Sequence, residues 1–255
     1  MSHATGFHGV VWRPVARRLV DAGMRVYSVD YRGHGDSDAP DAEYHWDDFG
    51  RDALAALDHL GIAGGGDLVG VGHSKGSAAL VLAEDVRPRT FAHLWLYEPI
   101  IMAGYESMGP SRGNSLAEGA RRRRMVWDSP EEAYASFASR PPFDALDPDA
   151  LAAYVEHGMR PLDDGTWEIK CRGEIEARVY EMGSAHAAFD ALPRLGCPTV
   201  VVCGEHTNAI PPDYGRFLAQ SVPGGRFELA EGLGHFGPLE DPAWAAASIL
   251  ALARA

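Results

Sequence analysis

Gly72-His73-Ser74-Lys75-Gly76 follows directly on the apolar run Leu68-Val69-Gly70-Val71. The run reads as a short buried strand. The stretch after it, Ser77-Ala78-Ala79-Leu80-Val81-Leu82, reads as the opening of a helix. Between strand and helix lies a G-x-S-x-G turn, which lifts one serine hydroxyl out at the end of a sheet. Gly72 and Gly76 allow the backbone to crowd there. The bare pattern arises by chance in about one chain in ten of this length. Its place between a strand and a helix therefore carries the weight.

Outward from that turn, short apolar runs alternate with helical patterns, the mark of a mainly parallel sheet flanked by helices. Pro14 opens a helix that runs to Ala22 and stops at Gly23. Arg25 to Asp30 reads as a strand. Asp47 or Asp48 caps a helix carrying Leu54, Leu57 and Leu60, and Gly61 ends it. Phe91–Tyr97, Thr199–Cys203 and Arg226–Leu229 read as further strands, and Trp244–Ala253 as a terminal helix. Between residues 99 and 195 the alternation stops. That segment is helical and aromatic, with Trp127, Tyr134, Phe137, Phe143, Tyr154, Trp167 and Tyr180. It reads as a helical lid inserted into a core domain of residues 1–98 and 196–255.

The chain has 255 residues, 46% of them hydrophobic, enough for one large core. Its 23 basic and 36 acidic residues leave a net charge of −13, which speaks against nucleic acid and anionic membranes as partners. Arg121-Arg122-Arg123-Arg124 is the one basic run and reads as a solvated helix face, with an anion patch as the minority reading. Cys171, Cys197 and Cys203 have no C-x-x-C spacing, so neither a disulfide framework nor a zinc site is implied. No leader pattern and no stretch long enough to cross a bilayer is visible, so a cytoplasmic protein is expected. No metal constellation, phosphate loop or dinucleotide fingerprint appears, and no cofactor is expected. The partners expected are a small-molecule substrate and, as a possibility, a second copy of the chain.

A serine hydroxyl needs a base within hydrogen-bond reach, and the base needs an acid to orient it. His235, in Gly232-Leu233-Gly234-His235-Phe236-Gly237-Pro238, follows the last expected strand and returns to the carboxyl edge of the sheet. Glu98 ends the strand Leu94-Trp95-Leu96-Tyr97. Together these features resemble the α/β-hydrolase superfamily, over nearly the whole chain. Arg32-Gly33-His34-Gly35-Asp36-Ser37 resembles its R-G-x-G-x-S turn. His3-Ala4-Thr5-Gly6-Phe7-His8-Gly9 resembles its H-G-x oxyanion loop, with Ala4 for the usual glycine.

The resemblance implies an acid between serine and histidine in chain order, and Glu98 fits. Many members carry an Asp after a later G-E turn. Here that turn is Gly204-Glu205-His206-Thr207-Asn208, with no Asp, and Glu205 is the other candidate. The backbone N–H groups of Lys75 and Thr5 would form the oxyanion hole. The Lys75 ammonium would pair with lid carboxylates or bind an anionic substrate group. His3 and His34 would be structural. Phe7, Trp12, His73, Met102, Trp127 and Phe137 would surround the substrate.

The implied function is a serine hydrolase of a small, mainly apolar ester, lactone, thioester or related acyl compound. The elbow serine disfavours dehalogenase and epoxide hydrolase chemistry. A catalytically weak ligand binder, or an acyltransferase or cyclase on the same fold, is the alternative, and a panel of p-nitrophenyl esters separates them. The family also places a third strand ahead of its oxyanion loop, and only Met1 and Ser2 precede His3 here. Added residues, a neighbouring chain or a rearranged segment is expected to fill that place.

Overall fold

The computed structural model describes residues 1–64, 66–104, 114–183 and 185–254. Four parallel strands form the main sheet in the order β1 (Val69–His73), β2 (His93–Tyr97), β6 (Thr199–Gly204) and β7 (Arg226–Ala230). β1 and β2 pair from Val69 opposite His93 to His73 opposite Tyr97, so both strands end level. β2 and β6 are buried on both faces, which is why they read as continuous apolar runs.

Alternate residues of these strands feed two cores. Trp95, Tyr97, Val200 and Val202 face the side of α1 (Arg13–Asp21) and α11 (Pro242–Ala253). Leu94, Leu96 and Val201 face α2 (Trp46–Leu60), α3 (Lys75–Val86) and α9 (Pro212–Gln220). α1 starts with Pro14 in its first turn, and α2 ends on Gly61 in the left-handed conformation. The cap of α2 is reciprocal, with Asp48 accepting from the His45 N–H, so Asp48 acts from inside the helix.

Residues 25–30 do not form the regular strand that their composition suggests. Only Val29 is bridged, and its partner is Ser2. Ser2 lies parallel between Val29 and Gly72, donating its N–H to Val71 O and accepting from His73 N. Alongside Met1 a trough of about 750 Å³ runs between residues 25–30 and 67–71. Ser74, Glu98 and His235 do not line it.

The described residues between β2 and β6 are not helices alone. α4 (Ser115–Arg122), α5 (Pro130–Ala138), α6 (Pro148–Gly158), α7 (Gly173–Met182) and the short α8 (Ala188–Ala191) are joined by a small antiparallel sheet. Its strands are β3 (Val126–Trp127), β4 (Met159–Pro161) and β5 (Trp167–Ile169), in the order β3-β5-β4. The four arginines are each fastened to an acidic side chain. Arg121 holds Glu174 and Glu181, Arg122 holds Glu118, Arg123 holds Glu176 and Arg124 holds Glu132. The three cysteines are buried and free.

Candidate active site

Ser74 occupies the turn between β1 and α3 with φ 54° and ψ −117°. A non-glycine residue held there stores about 1–3 kcal/mol of strain, which the surroundings must offset. The Ser74 N–H donates to Tyr97 O at 2.9 Å, and its carbonyl accepts from Ser77 N at 3.1 Å. The flanking glycines are steric necessities. A Cβ on Gly72 would lie 2.6 Å from the Ser77 Cα, and one on Gly76 would run into the Ser2 carbonyl. Lys75, the first residue of α3, has one of the N–H groups that a helix leaves without an internal acceptor.

Glu98, directly after β2, is fully buried and also left-handed, with φ 41°. Its Oε1 accepts from Gly204 N at 3.0 Å. Its Oε2 accepts from Thr207 Oγ1 at 2.6 Å and from His235 Nδ1 at 2.6 Å. A carboxylate only accepts, so Nδ1 carries a proton, and in the neutral ring Nε2 is the acceptor. Glu205 turns elsewhere and accepts from Gly232 N at 2.8 Å. The sequence shows Gly204 and Thr207 only as members of the G-E turn, with no role in the site. They matter only through a fold that brings the ends of β2 and β6 together.

The loop carrying His235 enters from β7 and leads into α10 (Gly237–Glu240). His73 Nε2 donates to His235 O at 2.8 Å, and Tyr97 OH to Gly234 O at 2.6 Å. Glu240 accepts from Gly234 N at 2.8 Å and Phe236 N at 3.1 Å.

Thr5 is 9% exposed, beside Gly6 at φ +81°. The Glu176 carboxylate rests on Gly6, its Oε1 2.5 Å from where a Cβ would stand. Glu176 pairs with Arg123 at 2.6 Å in a nearly closed space. Burial raises the Glu176 carboxyl, against the opposing pull of Arg123. Phe7 meets Tyr154 and Phe143 of the inserted segment, at ring separations of 5.0 and 6.0 Å, and Phe236 at 5.2 Å. Phe236 stands 5.0 Å from the His235 ring. Phe137 joins this aromatic group through Phe143 and Tyr154, and Trp127 stands behind Phe137. Trp12 is in the core, edge-on to His73, and Met102 is half-buried after Glu98. His3 donates from Nδ1 to Ala4 O and accepts from Tyr31 N, and His34 donates from Nδ1 to Arg32 O.

The Lys75 side chain departs from expectation. Among the described residues it reaches no lid carboxylate. Its Nζ lies 4.4 Å from the centre of the Tyr31 ring and 4.6 Å from that of Phe49. Among the described residues it has no hydrogen-bond partner. Burial pushes this ammonium down to about 7. α3 is buried over most of its first turns, so its first side chain is carried into the core between the sheet and α2. No group of three or more metal-ligating side chains among the described residues could hold an ion, and no described helix is long and apolar enough to cross a membrane.

A type I acyl-CoA thioesterase, mpaH, from Penicillium brevicompactum is 29% identical over 64% of this chain and 35% of its own length. The matched stretch thus spans about a third of that relative. The non-heme chloroperoxidase CPO-A1 of Kitasatospora aureofaciens is 26% identical over 91% of this chain and 82% of its own. The peroxisomal alpha-beta-hydrolase Lpx1 of Saccharomyces cerevisiae superposes with a TM-score of 0.82 at 22% identity, over 97% of this chain and 74% of that one. At that identity the likeness concerns the fold. The sequence pattern of the Alpha/beta hydrolase family matches residues 1–248, and with the elbow, the sheet order and the inserted segment in place the chain belongs to that family.

Proposed function

We propose that this chain hydrolyses small, mainly apolar esters, thioesters or lactones, with Ser74 as nucleophile, His235 as base and Glu98 as acid. The observation that carries the reading is the 2.6 Å contact from His235 Nδ1 to the buried Glu98 carboxylate, which turns Nε2 away from the acid. His235 Nε2 takes the Ser74 proton as Oγ attacks the acyl carbonyl. Glu98 holds the tautomer and stabilises the imidazolium that forms. The Lys75 and Thr5 N–H groups meet the oxyanion, each donor worth about 3 kcal/mol in the transition state. His235 then returns the proton to the leaving alcohol or thiol. Water, deprotonated by the same nitrogen, releases the acid. Residues 99–195 act as a lid, with Phe143 and Tyr154 closing over Phe7 as an apolar acyl wall. The thioesterase among the relatives supports keeping thioesters in this substrate class.

The test is covalent labelling with a fluorophosphonate, read by peptide mass, beside hydrolysis of p-nitrophenyl butyrate and butyryl-CoA. The reading expects a label on Ser74, its loss in Ser74→Ala, and turnover of at least one substrate. A protein that takes no label and turns over neither compound is a binder, and the reading fails.

A further inference from the structure

We propose that His73 and Tyr97 are positioning residues that fix the base loop directly onto the two strands carrying the nucleophile and the acid; the proposal rests on the serine-hydrolase reading above. His73 and Tyr97 are cross-strand partners at the ends of β1 and β2. The next residue after each is Ser74 and Glu98. The two side chains grip consecutive carbonyls of one loop, His73 at His235 O (2.8 Å) and Tyr97 at Gly234 O (2.6 Å).

The His73 ring is 1% exposed, and burial holds it well below the ordinary imidazole range, with the nearby His235 adding to the effect. It is neutral and has one N–H. A carbonyl only accepts, so that N–H sits on Nε2. A second turn of the clamp comes from Glu240, which accepts from the amides on either side of His235.

The loop needs such holding. Gly232, Gly234 and Gly237 lie within six residues, and glycine gives the chain many alternative paths. A displacement of about 1 Å at a reacting group costs on the order of 100-fold in rate. The grip ties the base to the residue preceding the nucleophile, so nucleophile, acid and base share one register.

The experiment compares the parent protein with His73→Leu, His73→Gln and Tyr97→Phe. Gln places an amide N–H near the position of Nε2, while Leu fills the space without a donor. Amide hydrogen exchange over residues 232–237 is read by mass spectrometry, and kcat and KM by p-nitrophenyl butyrate hydrolysis. His73→Leu is expected to speed exchange in that loop at least tenfold and to lower kcat about 100-fold, with KM within twofold. His73→Gln restores both to within about fivefold of the parent. Tyr97→Phe removes one hydroxyl and gives an intermediate effect, and it answers the question should His73→Leu not fold. Unchanged loop exchange in His73→Leu and Tyr97→Phe overturns the proposal, as does a His73→Gln protein as impaired as His73→Leu. If exchange responds as expected while the parent takes no fluorophosphonate and cleaves no ester, the clamp stands and the serine-hydrolase reading falls.

Discussion

Replacing Lys75 with Met removes a charge from the core while keeping a stem of similar length between Tyr31 and Phe49. Burial lowers the Lys75 ammonium from 10.5 to about 7. Across that interval the unfolded chain binds more protons than the folded one, so stability rises with pH. The cost of the buried charge is fully present below about pH 7 and is gone once the pH passes the unfolded value of 10.5. At pH 6.5 it is about 4–5 kcal/mol. The two rings return up to about 2 kcal/mol through the cation–π contact. K75M is therefore expected to be more stable than the parent by about 2–4 kcal/mol at pH 6.5 and by only about 1 kcal/mol at pH 9.5. Six tryptophans make urea unfolding readable by fluorescence at both pH values. The other charges near this ammonium, Asp30, Asp52, His3, His34 and Cys171, are common to both proteins and cancel in the difference to first order. A gain equal at the two pH values, or a loss at pH 6.5, would refute the reasoning.

Glu98→Gln is expected to lower kcat on p-nitrophenyl butyrate by up to about 10⁴-fold, the effect of losing the carboxylate that fixes the imidazole tautomer. Glu205→Gln should stay within about threefold, and equal losses in the two variants would sink the assignment. Phe143→Ala opens space beside Phe7; at about 0.8 kcal/mol per buried methylene, room for two more carbons raises hexanoate over butyrate at least tenfold in kcat/KM. An unaltered chain-length profile speaks against the aromatic wall. The trough lies open along β1 beside Met1, and an apolar segment of about six residues fused ahead of Met1 is expected to raise Tm by about 3–5 °C. An unchanged Tm means that the trough does not take a strand there.

Much of this was legible because the decisive signals are local. The elbow needs two glycines within five residues, and its strand and helix adjoin it. Glu98 stood out by ending an apolar run, and His235 by its glycine-rich loop. What stayed hidden depends on contacts across long stretches of chain. Strands of two or three residues, such as Val126–Trp127, show no periodicity, so the small sheet within residues 99–195 could not be read. Residues 25–30 have the composition of a strand, but pairing is a property of neighbours, and only Val29 is bridged, by Ser2. The sequence suggests that the Lys75 ammonium pairs with lid carboxylates or binds an anionic substrate group. The direction of the first turn of α3, not the residue's polarity, decides its burial. The Glu176 carboxylate settles on Gly6 across 170 residues, and nothing in either segment announces the other.

The level ends of β1 and β2 divide the site into parts of unequal durability. Ser74 and Glu98 follow directly on residues paired strand to strand across β1 and β2, and they shift only when that pairing comes apart. His235 hangs on a loop held by side-chain hydrogen bonds to the Gly234 and His235 carbonyls and to the Gly232, Gly234 and Phe236 amides, and by the backbone bond from His206 N to Leu233 O. Sub-global opening draws on such weakly attached segments well below the global unfolding free energy. Warmed gradually, the protein would lose turnover while its circular dichroism spectrum is still that of the native state, and would regain it on cooling. The temperature at which activity fades would then report the loop, and the temperature at which the spectrum changes would report the sheet.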